Sequence, residues 1–246
     1  MKDSTVLVKR KRVRRPTSKI SFKIAYVFFK LFFKLLIRME VKGKENLPPK
    51  GQLIAVCNHL NLIDPLLHIM AITPRDSIFM AKEELFKWWP IPIFRILMDI
   101  GEAFPVARHG TPEQRWIAIE HGLEVLKQDM VLVIYPEGTR SKSGHLQHAY
   151  PGAAYIACRT KAPLIPIAIW GTENLTGKGW LRRPRVTISF GKPFALPPLE
   201  GKPSRETLKQ LTLFMMQKLA VELPPKYRGK YDPDQQPAKA KAAVHA

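Results

Sequence analysis

The chain has 246 residues, 46% of them hydrophobic, and carries 40 Lys and Arg against 20 Asp and Glu, for a formal charge of +20. Length and apolar content support one sizeable core and exclude both a wholly disordered chain and a small disulfide scaffold. The charge points to an anionic partner, while Cys57 and Cys158, each inside an apolar run, read as core residues in a reducing compartment.

The chain opens with a basic block, Lys9 to Arg15, followed by Pro16. Residues 20–37 are apolar except for Ser21, Lys23, Lys30 and Lys34. At ~100° per residue, Lys19, Lys23, Lys30, Lys34 and Arg38 share one arc of roughly 100°. As a helix this stretch reaches about 27 Å, short of a hydrocarbon core of about 30 Å. It is predicted to be an amphipathic membrane-interface helix with its lysines towards anionic headgroups, and the basic block adds attraction. A core helix with one wet stripe and a tilted span are the alternatives. No small-residue cleavage site follows, which argues against a secretory leader.

From residue 50 onward, apolar runs of strand length alternate with helical patterns. Strands are predicted at 53–57, 77–81, 104–107, 130–135, 164–169 and 186–190. Helices are predicted at 65–72, 83–98 (broken near Pro90 and Pro92), 111–128, 152–161 and 205–223. Thr111, Pro112 and Gln114 form a capping-box signature. The alternation implies an α/β fold with a largely parallel, mixed sheet flanked by helices. The resulting division is a basic segment (1–17), an anchoring helix and linker (18–45), an α/β domain (46–224) and a disordered, Pro- and Lys-rich tail (225–246).

The chemistry concentrates in Asn58 to Asp64, where His59 and Asp64 are five positions apart. In a strand that offset puts them on opposite faces, and in a helix it turns through about 500°, so they meet only across a bend. An apolar strand ends at Cys57 and Asp64-Pro65 reads as an N-cap followed by a helix's first position, which supplies the bend. A carboxylate beside an imidazole holds its tautomer and steadies the imidazolium, a general-base arrangement; an ordinary structural His–Asp hydrogen bond is the plainer alternative. Cys57, two residues before His59, has no cationic sequence neighbour to lower its thiol pKa and is set aside as a nucleophile.

Three more segments fall at predicted strand ends, where open α/β sheets hold ligands. They are residues 101–108, 135–141 and 163–167. Gly138 permits close backbone approach, Thr139 and Ser141 offer hydroxyls, and Arg108 and Arg140 offer forks that match a phosphate. Solvated charges or structural ion pairs remain the alternative for both arginines. Glu137 either contacts a substrate hydroxyl or pairs with Arg140, and Lys82, just after a strand, is either a phosphate contact or a surface lysine. The other histidines form no ligand-like cluster, so no metal is expected.

Four blocks therefore stand in order across residues 58–167: Asn-His-x4-Asp (58–64), Gly-x-x-Phe-x-x-x-Arg (101–108), Glu-Gly-Thr-Arg (137–140) and a proline-containing apolar block (163–167). This ordered set resembles the glycerolipid acyltransferase family, specifically the bacterial-type 1-acyl-sn-glycerol-3-phosphate acyltransferases. The resemblance implies a fatty acyl transfer from a thioester to the sn-2 hydroxyl of a lysophosphatidic acid, forming phosphatidic acid. His59 would deprotonate the hydroxyl, with Asp64 orienting it. Arg108, Glu137, Gly138, Thr139 and Arg140 would bind the glycerol phosphate, with Lys82 as a further contact, and Pro166 would shape the acyl side. Acyl-CoA or an acyl carrier protein would be the co-substrate, with no further cofactor. The setting implied is the cytoplasmic face of a membrane, bound peripherally or monotopically. Asn61 departs from the family, in which serine is common there, and is expected to alter local hydrogen bonding only. Backbone amides near residue 59 are a candidate oxyanion site. Another acceptor, such as glycerol 3-phosphate or a lysophospholipid, is the nearest alternative. A non-catalytic nucleic-acid-binding module is the more distant one; the basic block favours it, but it lacks any nucleic-acid motif, so no nucleic-acid partner is expected.

Overall fold

The computed structural model describes residues 15–82, 103–106, 111–197, 201 and 203–235. Its frame is a seven-stranded sheet in the order β1-β7-β6-β2-β5-β3-β4. The strands are β1 (Arg38–Lys42), β2 (Leu53–Cys57), β3 (Ser77–Lys82), β4 (Phe104–Val106), β5 (Val131–Ile134), β6 (Leu164–Trp170) and β7 (Arg185–Phe190). Every pairing is parallel except β6 with β7. Strands β1 and β7 therefore run against the other five. Their N-terminal ends lie at the sheet edge where β2, β3, β5 and β6 have their C-terminal ends.

Both faces of the sheet are covered, which is why β2, β5 and β6 read as unbroken apolar runs. Along β2, Ile54 and Val56 enter one core cluster while Leu53, Ala55 and Cys57 enter the other. The first cluster is closed by α3 (Pro112–Lys127), α4 (Gly152–Thr160) and α5 (Arg205–Val221), through residues such as Val125, Ile156 and Met215. The second is closed by α1 (Ile20–Leu36) and α2 (Asp64–Ile72), through Phe22, Phe33, Leu67 and Ile72. Helix α3 starts on the predicted capping box: Thr111 accepts from the Gln114 amide at 3.3 Å, and the Gln114 side chain accepts from the Thr111 amide at 2.9 Å. The 83–98 helix prediction lies outside the described residues.

Three expectations change. Residues 38–42, expected within the linker, form β1 instead, in register with β7 from Arg38–Arg185 to Lys42–Ser189. As a short edge strand of mostly exposed residues, Arg-Met-Glu-Val-Lys carries no apolar signal. Asp64 is the first residue of α2 rather than its cap, and Ile63 holds the cap position. Residues 225–235 are not a disordered tail: α6 (Pro225–Arg228) and two short turns bury Tyr227 and Tyr231 in the first cluster. The Ala149 amide donates to the Tyr231 hydroxyl at 3.2 Å, and the Tyr227 hydroxyl donates to Glu173. A Pro- and Lys-rich average hid those two aromatic anchors.

Helix α1 crosses the sheet from end to end. At its start, the Thr17 amide and hydroxyl donate to Asp76 at 2.8 and 2.6 Å, just ahead of β3, and its last turn feeds directly into β1. Phe22 and Phe33 face the core, whereas Ile20, Ile24, Val27, Phe28, Leu31, Phe32 and Leu35 are exposed. Among the described residues no helix is long and apolar enough to cross a membrane.

Candidate active site

The bend between β2 and α2 is set by two polar residues. Asn58, the first residue beyond the apolar strand, is buried and locks the end of β2 to β6. Its side-chain amide donates to the Ile169 carbonyl at 2.8 Å, and its oxygen accepts from the Ile169 amide at 2.8 Å. Six residues on, Asp64 is fully buried, and a single carboxylate oxygen, Oδ2, accepts from the Leu60 and Asn61 amides at 2.6 Å each. The chain is thereby folded back so that Asp64 Oδ2 lies 2.9 Å from His59 Nδ1.

That environment assigns the ring's protons. Oδ2 already receives two amide hydrogens, so it acts as acceptor and Nδ1 as donor, leaving the lone pair on Nε2. The His59 side chain keeps 16% of its surface exposed while Asp64 keeps none. The pair thus has a proton-accepting nitrogen turned outward and a fixed charge behind it, the geometry of a general base. The amides of Leu60 and Asn61 are committed to Asp64, and the His59 amide approaches Glu137 Oε1 at 3.4 Å, so the expected oxyanion role for amides next to His59 finds no unengaged donor there.

The Glu137–Arg140 segment follows β5, the neighbour of β2, and packs directly against this bend. The Ser141 amide donates to the His59 carbonyl at 2.7 Å. Glu137, expected to face substrate or Arg140, points inward instead: it is 2% exposed, and its other oxygen accepts from the Gln147 amide at 2.8 Å. Burial pushes its carboxyl up to about 7, against the pull of the Gln147 and His59 amides. Gly138 turns the chain at φ 61°, a conformation that favours glycine. Thr139 and Arg140 are exposed just beyond it.

Lys82 ends β3, two strands from His59, with its Cα in register with Val106 of β4. Arg108 lies outside the described residues. Pro166 is buried within β6, opposite Val56, and its carbonyl accepts from the Gly191 amide at 2.9 Å. It is part of the sheet beneath the site. The Asn61 side chain donates to the Thr172 carbonyl at 2.8 Å, tying the bend to the chain after β6.

Residues the sequence did not single out complete the setting. The Tyr135 ring lies against the His59 ring with centroids 4.7 Å apart, and its hydroxyl is 2.9 Å from His68 Nδ1. His68 is fully buried, and burial holds its pKa down to about 4, so it is neutral at physiological pH. Burial, helped by the Asp64 charge, pushes the Cys57 thiol well up, the opposite of what a nucleophilic cysteine needs. The signals available were Asn58 closing a wholly apolar run and an aromatic residue at the end of β5. Among the described residues no group of three or more His, Cys, Asp or Glu is arranged to hold a metal ion.

Known proteins share this arrangement. The Acyltransferase family profile matches residues 38–170, from β1 through β6. The 1-acyl-sn-glycerol-3-phosphate acyltransferase of Bacillus subtilis is 32% identical over 184 residues, covering 74% of this chain and 86% of that protein. The protein of the same name from Cocos nucifera is 34% identical over 148 residues, covering 57% of this chain but 45% of its own length. The chain thus spans less than half of the coconut protein. The crystal structure of the Thermotoga maritima 1-acyl-sn-glycerophosphate acyltransferase PlsC superposes with a TM-score of 0.55 at 28% identity, covering 77% of this chain and 74% of that one. With the His59–Asp64 bend and the mostly parallel sheet both inside the matched region, the chain belongs to the acyltransferase family.

Proposed function

We propose that this protein transfers a fatty acyl group from an acyl thioester to the sn-2 hydroxyl of 1-acyl-sn-glycerol 3-phosphate, producing phosphatidic acid for phospholipid synthesis. The observation that carries this is the His59 Nδ1–Asp64 Oδ2 hydrogen bond of 2.9 Å, within a chain similar to enzymes of that name. His59 Nε2 takes the hydroxyl proton as the oxygen attacks the thioester carbonyl. The tetrahedral intermediate then expels the thiolate, which recovers the proton from the imidazolium. Arg140 and Thr139, with Arg108 and Lys82, bind the phosphate; Glu137 and Gly138 hold the loop in shape; Pro166 underlies the acyl side. The donor is acyl-CoA or acyl carrier protein, and no cofactor takes part.

The enzyme works on the cytoplasmic face of an anionic membrane, held there by α1. Its outer arc exposes six large apolar side chains besides Ile20, whose own exposure is 75%, and Lys23, Lys30 and Lys34 flank that arc. Because α1 ends at the sheet edge that carries His59, a helix lying in the interface brings the site to headgroup level. Purified His59→Ala should lose at least about 10³-fold in turnover of lysophosphatidic acid with either donor, as expected for removal of a general base together with its positioning. Turnover within tenfold of wild type would refute the assignment. Ile24→Ser/Leu31→Ser/Leu35→Ser should release the protein from vesicles in co-sedimentation.

A further inference from the structure

The connection from β6 to β7 holds a second surface with membrane-binding character, and this inference rests on the membrane reading above. Residues Gly177–Arg182 form a short 3-10 segment, Gly-Lys-Gly-Trp-Leu-Arg, followed by Arg183. Trp180 packs its ring on the α1-side core cluster, and Gly179 makes the turn so tight that an added Cβ would meet the Asn174 carbonyl at 1.9 Å. Held by that anchor, the next side chain, Leu181, points outward and is 83% exposed, the highest value among the large apolar residues described as exposed. Lys178, Arg182 and Arg183 around it are exposed as well.

One contact ties this segment to α1 and a second ties its exit to the start of β1. Arg183 donates to the Lys34 carbonyl in the helix's last turn at 2.9 Å, and the Arg38 amide donates to the Pro184 carbonyl at 3.0 Å. The segment begins after β6 ends and finishes where β7 begins, so it sits at the same sheet edge as His59. An exposed leucine on a braced turn, ringed by cations and adjoining an exposed apolar helix, matches a bilayer interface: the leucine enters the acyl boundary and the cations meet phosphates. An acidic carrier protein would be met by the charges alone and leaves the leucine unexplained.

We propose that Gly177–Arg183 is a second bilayer contact, which with α1 fixes the tilt of the enzyme so that the His59 edge of the sheet faces an anionic phospholipid surface. The test uses the full chain with phosphatidylcholine vesicles, with and without phosphatidylglycerol. Leu181→Ser should lower the partition coefficient about tenfold or more on both vesicle types, from loss of one buried leucine, whereas Leu213→Ser on the opposite side of the sheet should change it less than about twofold. Lys178→Glu/Arg182→Glu should weaken binding on anionic vesicles only, and the difference should fade as salt rises. Amide exchange across 177–183 should slow when vesicles are added to wild type, which tests the contact without any variant.

If Leu181→Ser matches Leu213→Ser and exchange is unchanged, the second contact is refuted while the α1 reading stands on its own serine variants. If those α1 variants bind like wild type, the underlying membrane reading fails instead. Charge reversal that slows transfer from acyl carrier protein but leaves partitioning intact assigns the cations to the donor, and the proposal falls.

Discussion

Replacing Asp64 by Asn probes the catalytic pair most directly. The carboxylate oxygen that faces His59 also accepts from the Leu60 and Asn61 amides, so an Asn carbonyl oxygen takes the same place and keeps the bend. What disappears is the charge behind the imidazolium. With about 4 Å between charge centres and an effective dielectric of ~20, that attraction is worth about 4 kcal/mol. A loss of that size in the transition state slows turnover about 10³-fold. The new amide nitrogen would fall where Oδ1 lies, a buried atom that already has no hydrogen-bond partner, so one unpaired polar atom replaces another and the fold should survive the change. The assay is release of free thiol from acyl-CoA with lysophosphatidic acid as acceptor, alongside urea unfolding. Turnover within tenfold of wild type, in a protein whose fold is intact, would refute the electrostatic argument.

Glu137→Gln tests the buried carboxyl. Its folded value, about 7, lies above its ordinary 4.5, so its penalty is absent below 4.5, grows as pH rises towards 7 and is constant beyond. The Gln variant should therefore gain on wild type by up to about 3 kcal/mol between pH 5 and 8 in urea unfolding, and a difference that does not change with pH would count against the burial argument. Asn58→Ala removes both hydrogen bonds to Ile169 and leaves that residue's amide and carbonyl buried and unpaired. It should cost about 2–4 kcal/mol of stability, measured the same way.

The residues differ in how plainly they announce their places. Leu53–Cys57, Val131–Ile134 and Leu164–Trp170 are buried on both sheet faces, so their apolar runs are unmistakable. Strand β1 is legible only through its partner β7, because an edge strand with exposed, charged residues looks like a linker. The His59–Asp64 approach follows from offset and bend alone, since no regular element allows it. Glu137 misleads for the opposite reason: a carboxylate beside an arginine in sequence suggests a surface ion pair, and only three-dimensional packing turns it inward to two amides. Tyr135 and His68 are far apart in the chain, and no local pattern brings their side chains together. Tyr227 and Tyr231 show that two aromatic side chains outweigh a polar average when a core surface lies within reach.

The pairing of Arg38 with Arg185 also has a bearing on biosynthesis. Among the described residues the first strand of the sheet pairs only with the last, so it has no neighbour until that last strand has been made. At ~5–20 residues per second, about 7 to 30 seconds of translation separate the two. During that interval the greasy leading helix has left the ribosome while the strand it feeds still lacks its mate. On the membrane attachment proposed above, a lipid leaflet is where the helix would wait, so docking of the nascent polypeptide would precede, rather than follow, closure of the α/β domain.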